Sequence, residues 1–328
     1  MISNLNKKYK ILLYLLTGII ILGSCWIIFV DLFLENNNPF STAPENTKWV
    51  KIDDNQVAYQ YFPSQSGADN HILLIGGTTA WSGVWEKTVD DLNESYSIYT
   101  LDLPPFGYSA VSNDYKYNLR NQAQLINDFI DELQINNVTL VAHSYGAGPS
   151  MEAVFLNQET YKKLIVIDGS IHVDRASSKS AVAAEYTLKL PQLRYFISGI
   201  ALHFPGFMEA SLKYLVHDND TVTDYWIDVY RQPLSLENKT QHIARWFYDF
   251  AFRNGEGLSS SGENYEDLSV PVDIIWGEED TFTPLEQGTY LNSIIPKSSI
   301  TTIENVGHIP MIDNHEDYIE VLKTLLKK

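Results

Sequence analysis

Short apolar runs alternate with amphipathic segments along most of the chain. Several of the runs are almost continuously apolar, which is typical of parallel strands covered on both faces of a sheet. The predicted strands are Val57–Phe62, Ile72–Ile75, Tyr96–Leu101, Val138–Ala142, Leu164–Ile167, Val272–Trp276 and Ile300–Ile303. Apolar residues recur at three- and four-residue spacing in Leu119–Leu133 and Tyr318–Leu326, which predicts helices. Together these segments predict an α/β sheet with right-handed crossover connections.

The alternation stops between Ile171 and Leu268, where the sequence contains no convincing strand. Aromatic residues are frequent in this interval: Tyr186, Tyr195, Phe196, Phe204, Phe207, Tyr214, Tyr225, Trp226, Tyr230, Trp246, Phe247, Tyr248, Phe250 and Phe252. A structureless loop of this length is uncommon in a compact domain, so we expect a helical insertion. Most of these side chains should pack the insertion onto the sheet domain, and a few should line a ligand cavity.

The N-terminus carries a long apolar segment. Residues Ile11–Val30 contain no charged side chain and are long enough to cross a hydrocarbon core of about 30 Å as a helix. Lysines precede the segment and acidic residues follow it, which predicts a cytoplasmic N-terminus and an extracytoplasmic domain. We therefore predict a transmembrane anchor in residues 1–34, in contact with the lipid bilayer, and a polar linker in residues 35–47. A lipoprotein signal processed at Cys25 is the alternative.

Composition narrows the classes of partner and site. The chain has 328 residues, with 41 Asp and Glu against 23 Lys and Arg, and a formal net charge of −18. We expect no nucleic-acid partner, because binding to polyphosphate requires a basic face. Cys25 is the only cysteine, so the sequence excludes an intrachain disulfide and a cysteine-based zinc site.

A candidate nucleophile lies where a predicted strand meets a helix. The run Val138–Ala142 leads through His143 to Ser144, and small residues lie two positions before and after the serine, Ala142 and Gly146. A tight turn from strand to helix needs small residues there, and it lifts the serine oxygen out of the sheet. The start of the helix offers backbone N–H groups and a positive dipole end to an oxyanion.

Two later segments contain a candidate acid and a candidate base, in that order along the chain. Asp280 lies in the sequence WGEEDTFTP after one predicted strand, and His308 lies in the sequence GHIP after the last. With the serine turn, they resemble the Gly-x-Ser-x-Gly, Trp-Gly-x-x-Asp-x-x-x-Pro and Gly-His-x-Pro segments of the α/β-hydrolase family. Two upstream loops share the resemblance. The sequence GGT at 76–78 is similar to the family's His-Gly loop, with glycine replacing the histidine, and DLPPFGYS at 102–109 is similar to its Asp-x-Pro-Gly-x-Gly-x-Ser loop.

The resemblance implies an organisation for the whole chain. It implies a mostly parallel eight-stranded sheet flanked by helices, with a helical cap inserted after the sixth strand. Residues 48–170 and 269–328 would form the α/β-hydrolase core, and residues 171–268 would form the cap.

The resemblance also implies roles for individual residues. Ser144 would attack a carbonyl, His308 would accept and return the proton, and Asp280 would fix the histidine tautomer. The backbone N–H groups of Thr78 and Tyr145 would hold the oxyanion. The remaining candidates are substrate-binding residues: His143, Gly77 and Trp81. No cofactor and no metal site is expected.

The implied activity is that of a serine hydrolase acting on a small apolar ester or thioester, in the manner of a carboxylesterase or lipase. The same constellation also occurs in carbon–carbon bond hydrolases, cofactor-free peroxidases, aminopeptidases and acyltransferases, so the fold does not select the substrate. A non-catalytic, membrane-tethered binding module is a further alternative, although all three triad candidates are present. The sequence does not indicate an oligomeric state.

Overall fold

An eight-stranded sheet lies at the centre of the molecule. The computed structural model describes residues 7–174, 185, 188–253 and 257–328, so Tyr186 of the predicted insertion lies outside the described residues. The strands are β1 Thr47–Ile52, β2 Asn55–Phe62, β3 His71–Ile75, β4 Ser97–Leu101, β5 Val138–His143, β6 Tyr161–Ile167, β7 Val272–Gly277 and β8 Ser298–Ile303. Their order is β1-β2-β4-β3-β5-β6-β7-β8. The pairs β1–β2 and β2–β4 are antiparallel and all other pairs are parallel, which confirms the mostly parallel sheet.

Helices flank the sheet and fill the interval between β6 and β7. The α-helices are α1 Lys7–Phe29, α2 Pro39–Thr42, α3 Glu86–Leu92, α4 Leu119–Glu132, α5 Ala147–Leu156, α6 Pro191–His203, α7 Phe207–Leu215, α8 Asp224–Arg231, α9 Lys239–Arg253, α10 Leu285–Ile294, α11 Pro310–Asp313 and α12 His315–Leu326. A π-helical segment, Val30–Leu34, continues α1. The 3-10 turns are Ser82–Trp85, Ser144–Gly146, Gln158–Thr160, Asn219–Thr221, Gln232–Ser235, Leu258–Ser260 and Gly262–Asp267. The described residues of the insertion form helices, 3-10 turns and connecting loops but no strand, and Leu236 forms an isolated bridge with Asn37.

The apolar runs form strands because both faces of the central sheet are covered. Leu73 and Leu74 in β3 and Leu140 and Val141 in β5 are completely buried. On one side, α4 places Ile126 and its apolar neighbours into the same core. The parallel strands end at one common edge of the sheet, where the loops that follow β3, β5, β6, β7 and β8 meet.

Each predicted strand overlaps an observed one, and the strand without a prediction is β1. Its sequence, TKWVKI, has exposed lysines at 48 and 51, and Lys51 separates buried Val50 from buried Ile52. The strand lies at the edge of the sheet and pairs only with β2, so charged side chains are tolerated on it. Because of these charges, β1 lacks the continuous apolar pattern from which the central strands are predicted.

The prediction of a single-pass membrane anchor is wrong. Within the described ranges, no helix combines the length and the hydropathy that crossing a membrane requires. The end of the apolar segment instead packs against insertion helix α6. Val30 is completely buried, and a Cβ atom at Gly199 of α6 would lie 2.9 Å from the indole nitrogen of Trp26. The hydroxyl of Tyr195 in α6 donates to Asp31, which adds a polar contact to this packing.

The stretch predicted as a linker begins with a buried acidic residue. Oε1 of Glu35 accepts hydrogen bonds from the backbone N–H of Thr240, 2.8 Å away, and from that residue's hydroxyl. The same oxygen lies 2.9 Å from Nε2 of His203. His203 ends α6 and Thr240 begins α9, so Glu35 joins the N-terminal segment to two insertion helices. The domain boundaries at residues 35, 48, 171 and 269 stay predictions.

Candidate active site

The serine turn connects β5 to α5. Ser144 is almost completely buried and has a positive φ of 51°, which is rare for a residue with a side chain. Gly146 must be small, because a Cβ atom there would lie 2.5 Å from the carbonyl oxygen of Gly76. Ala142, two residues before the serine, is completely buried. The small residues in the motif are therefore explained by how closely the β3 loop approaches the turn.

Three side chains from different loops form one hydrogen-bonded chain. Nε2 of His308 lies 2.7 Å from Oγ of Ser144, and Nδ1 lies 2.7 Å from Oδ2 of Asp280. All three residues are buried. With the proton on Nδ1, the histidine donates to the carboxylate and its Nε2 accepts from the serine hydroxyl. This geometry fits a general base acting on a nucleophile.

The loop that follows β7 holds Asp280 as a carboxylate. Oδ1 accepts from the backbone N–H groups of Phe282 and Thr283, at 2.8 and 2.9 Å. Oδ2 accepts from the hydroxyl of Thr283 at 2.6 Å as well as from His308. Burial alone would raise the pKa of Asp280, but these hydrogen bonds and the charge of His308 outweigh it and lower the pKa.

The β3 loop lies against the serine, in the position needed for the predicted oxyanion donors. A Cβ atom on Gly77 would lie 2.8 Å from Cβ of Ser144, so a glycine is required at this close approach. Thr78 follows it and lines the same cavity as Ser144. Tyr145 is the middle residue of the 3-10 turn that leads into α5, and its side chain is buried against Trp246 of α9. The assignment of the Thr78 and Tyr145 N–H groups to the oxyanion stays a prediction.

His143 lies beside His308, with the two ring centroids 5.2 Å apart. Its Nε2 is 2.7 Å from the backbone carbonyl oxygen of His308, and it lines the cavity. Burial, with a smaller contribution from the charge of His308, lowers the pKa of His143 to about 3. A neutral His143 therefore donates to the carbonyl of His308 and helps to hold that loop in place.

Trp81 is not brought together with the other site candidates. Its indole nitrogen donates to the carbonyl of Val229 at 2.7 Å, and its ring packs edge-on against Tyr108. It is absent from the lining of the cavity beside Ser144. Trp81 ties the β3 loop to α8 of the insertion, while Gly77 and His143 face the cavity.

An apolar cavity of about 660 Å³ opens beside Ser144 and His308. Most of its wall comes from the insertion, through residues Ile197, Ser198, Ala201, Leu202, Phe207, Met208, Ala210, Ser211, Leu212, Tyr214, Leu215, Tyr230, Ile243, Trp246 and Phe247. Among the described residues, no Lys, Arg, Asp or Glu lines it. The aromatic content of the insertion predicts such a wall, but the aliphatic members carry no sequence signal that separates them from ordinary core residues. Phe282, which lies 4.9 Å from the His308 ring between ring centroids, also lines the cavity and was not predicted.

No metal site was found in the parts of the chain that the structure describes. No group of three or more His, Cys, Asp or Glu side chains there could hold an ion. The chemistry that these residues can support is proton transfer and nucleophilic attack.

Known proteins similar to this chain share the fold. An uncharacterized hydrolase of Bacillus subtilis strain 168, YugF, is 27% identical over 258 residues, covering 79% of this chain and 89% of that protein. A 2-hydroxy-6-oxo-2,4-heptadienoate hydrolase of Pseudomonas putida is 21% identical over 265 residues, covering 79% and 90%. The crystal structure of a membrane phospholipase A, described as a novel bacterial virulence factor, superposes with a TM-score of 0.70 at 18% identity and covers 98% of both chains. At that identity the structural similarity shows the fold alone.

A family model described as the alpha/beta hydrolase fold matches residues 70–315, which is more than half of the chain. The match covers β3 to β8 and includes the serine turn, the Asp280 loop and the His308 loop. The chain therefore belongs to the alpha/beta-hydrolase fold family.

Proposed function

We propose that this protein is a serine hydrolase that cleaves small, uncharged carboxylic esters or thioesters. The observation that carries the proposal is the continuous chain from Asp280 through His308 to Ser144, which ends at an apolar cavity. A nucleophile that meets an apolar cavity can attack a carbonyl whose acyl chain is buried there.

The mechanism that we propose proceeds through an acyl-enzyme. Ser144 attacks the substrate carbonyl while Nε2 of His308 accepts the hydroxyl proton, and Asp280 stabilises the resulting imidazolium. The N–H groups of Thr78 and Tyr145 stabilise the oxyanion, each contributing about 2.7–4 kcal/mol in comparable sites. His308 then gives the proton to the leaving alcohol or thiol. Water attacks the acyl group by the same route and regenerates Ser144.

The cavity supports a neutral substrate of limited length. Ligand cavities of about 300–1,000 Å³ accommodate small molecules, and this one falls within that range. Its described lining offers no cation to pair with a substrate carboxylate, and a buried unpaired carboxylate is unfavourable. Helices α6, α7 and α9 contribute to its wall, so we infer that the insertion sets the length of the acyl group.

Carbon–carbon bond hydrolysis is the second candidate. It is favoured by the similarity to the heptadienoate hydrolase of Pseudomonas putida, which covers most of both chains. The name of that substrate includes a carboxylate, however, and the described lining of this cavity contains no Lys or Arg. We therefore rank ester hydrolysis first.

The test is a series of p-nitrophenyl esters with acyl chains of two to sixteen carbons. Each buried CH₂ contributes about 0.8 kcal/mol, so kcat/KM should rise up to roughly fourfold per methylene until the cavity is full, and then fall. Ser144→Ala should abolish turnover and prevent labelling by a fluorophosphonate, while an exposed control, Ser41→Ala, should change neither. A rise that continues to the longest chain would indicate an open lipase groove. A wild-type protein that neither labels nor turns over would be a binding module.

A further inference from the structure

A second buried carboxyl group lies behind the triad. Asp168 follows the last residue of β6 and is completely buried. Its Oδ1 accepts from the backbone N–H of Gly277 at 2.8 Å. Its own N–H donates to the carbonyl of Ile275 at 3.0 Å, and its carbonyl oxygen lies 3.2 Å from the Thr283 hydroxyl, which donates to Asp280 over the shorter distance. Asp168 is therefore fixed between the ends of β6 and β7, on the side of the acid loop.

The second oxygen of Asp168 lies in a buried region that is shared with the Asp280 carboxyl group. Oδ2 is buried, and no donor among the described residues reaches it. Gly277 contacts both acids, because its N–H donates to Oδ1 of Asp168 and its carbonyl accepts from the Asp280 N–H at 3.3 Å. The Thr283 hydroxyl lies 3.2 Å from the Asp168 carbonyl oxygen and 2.6 Å from Oδ2 of Asp280, so the two acids are neighbours, and their carboxyl groups interact. Two ionised carboxylates can only accept hydrogen bonds, so both cannot stay charged at this contact, and one of them must carry a proton.

The surroundings decide which carboxyl carries that proton. Asp280 receives two backbone N–H groups, the Thr283 hydroxyl and His308, all of which favour its ionised form. Asp168 receives one N–H group. Burial, followed by the charge of Asp280, raises the pKa of Asp168 well above its usual value, and Asp313 adds a smaller effect of the same sign. The two charged groups that raise the pKa of Asp168, Asp280 and Asp313, are both acidic.

We propose that Asp168 is a positioning residue of this active site: its protonated carboxyl donates a hydrogen bond from Oδ2 to the Asp280 carboxylate and holds that carboxylate against Nδ1 of His308. The inference rests on the proposed function, because it concerns the base of the same hydrolytic reaction. When Ser144 transfers its proton to His308, Asp280 balances the imidazolium charge and Asp168 keeps its own proton.

The role predicts a clear difference between two substitutions at the same position. Asp168→Asn provides an amide N–H to Asp280 and an amide oxygen to Gly277, so it imitates the protonated acid. Asp168→Ala removes the donor. We expect kcat for a p-nitrophenyl ester to fall by about tenfold or more in Asp168→Ala and to stay within about threefold of wild type in Asp168→Asn, with KM almost unchanged. If Asp168→Asn loses as much kcat as Asp168→Ala, Asp168 acts as an anion and the inference is wrong.

Infrared spectroscopy gives a readout that does not depend on folding of the alanine variant. The wild-type protein at pH 7 should show the carbonyl stretch of a buried carboxylic acid, and this band should be missing from Asp168→Asn. A wild-type spectrum without any difference from Asp168→Asn in this region would overturn the inference. Fluorophosphonate labelling of wild-type Ser144 separates this failure from a failure of the proposed function.

Discussion

Two histidines lie next to each other in the site, and their surroundings give them different tasks. The rings of His143 and His308 are 5.2 Å apart between centroids. His308 is held between a serine and a carboxylate, and it can gain a proton during the reaction. His143 donates to the carbonyl of His308, and burial keeps it neutral. It is therefore a donor that fixes the His308 loop rather than a second base.

The neutral state of His143 should appear in the pH dependence of stability. Its pKa is about 3 in the folded protein and about 6.5 in the unfolded chain. As pH falls through this interval the unfolded chain binds the proton first, so His143 should lower the free energy of unfolding by about 1.4 kcal/mol per pH unit. Urea unfolding of His143→Gln should show a shallower loss between pH 6.5 and 4 than wild type. His71→Gln, at a partly exposed histidine, is the control, and equal slopes for His143→Gln and wild type would contradict the assignment.

Sequence motifs identify those site residues that lie in a turn with a characteristic local sequence. Ser144, Asp280 and His308 each lie in a short loop with small or rigid neighbours, and the geometry brings all three within hydrogen-bond distance. Asp168 lies in no such motif. Its proposed role depends on contact with Asp280, which is more than a hundred residues later in the chain. Trp81 was predicted to bind substrate, but it does not line the cavity. Its position in an upstream loop does not reveal that its indole nitrogen donates to a backbone carbonyl of α8.

At the scale of elements, the insertion depends on the N-terminal segment for its position. Glu35 bonds to His203 at the end of α6 and to Thr240 at the start of α9. Both helices line the cavity, α6 through Leu202 and α9 through Trp246. A contact outside the cavity can therefore hold two of its walls.

Removing this contact should loosen the insertion. Glu35→Ala leaves the Thr240 N–H without its acceptor and leaves the His203 ring nitrogen with the Thr240 hydroxyl as its remaining contact, which we expect to cost about 1–3 kcal/mol of unfolding free energy. The cavity walls should then move apart, and the preference for the optimal ester chain over shorter and longer ones should weaken. Urea unfolding and the ester series measure the two effects. Glu45→Ala, at an exposed position of the same stretch, should leave both unchanged, and an unaltered chain-length profile in Glu35→Ala would argue against this role.

Sequence patterns predict the central elements better than the peripheral ones. A strand buried on both faces is marked by a nearly continuous apolar run, and β3, β5 and β7 are of this kind. The bounds of α6 to α9 could not be predicted, because their apolar residues face the sheet domain, the cavity and each other. The apolar segment Ile11–Val30 was interpreted as a membrane anchor, since composition alone does not reveal that its end packs on α6.

At the scale of the whole molecule, an apolar cavity lies inside a strongly acidic protein. The net charge of −18 produces a long-range field that repels anions, and salt screens this field. The cavity discriminates in a different way, because its described lining offers no cation to a substrate carboxylate. The first effect depends on ionic strength, and the second does not.

This separation gives a prediction for matched substrates. A p-nitrophenyl ester with a neutral acyl chain should have a higher kcat/KM than the ester of equal length whose chain ends in a carboxylate. The ratio should shrink as the screening length falls from about 30 Å at 0.01 M salt to about 3 Å at 1 M. The part that persists at high salt reports the cost of burying the carboxylate in the cavity. A preference for the anionic ester at any salt concentration would contradict the neutral-substrate proposal and favour the carbon–carbon hydrolase candidate.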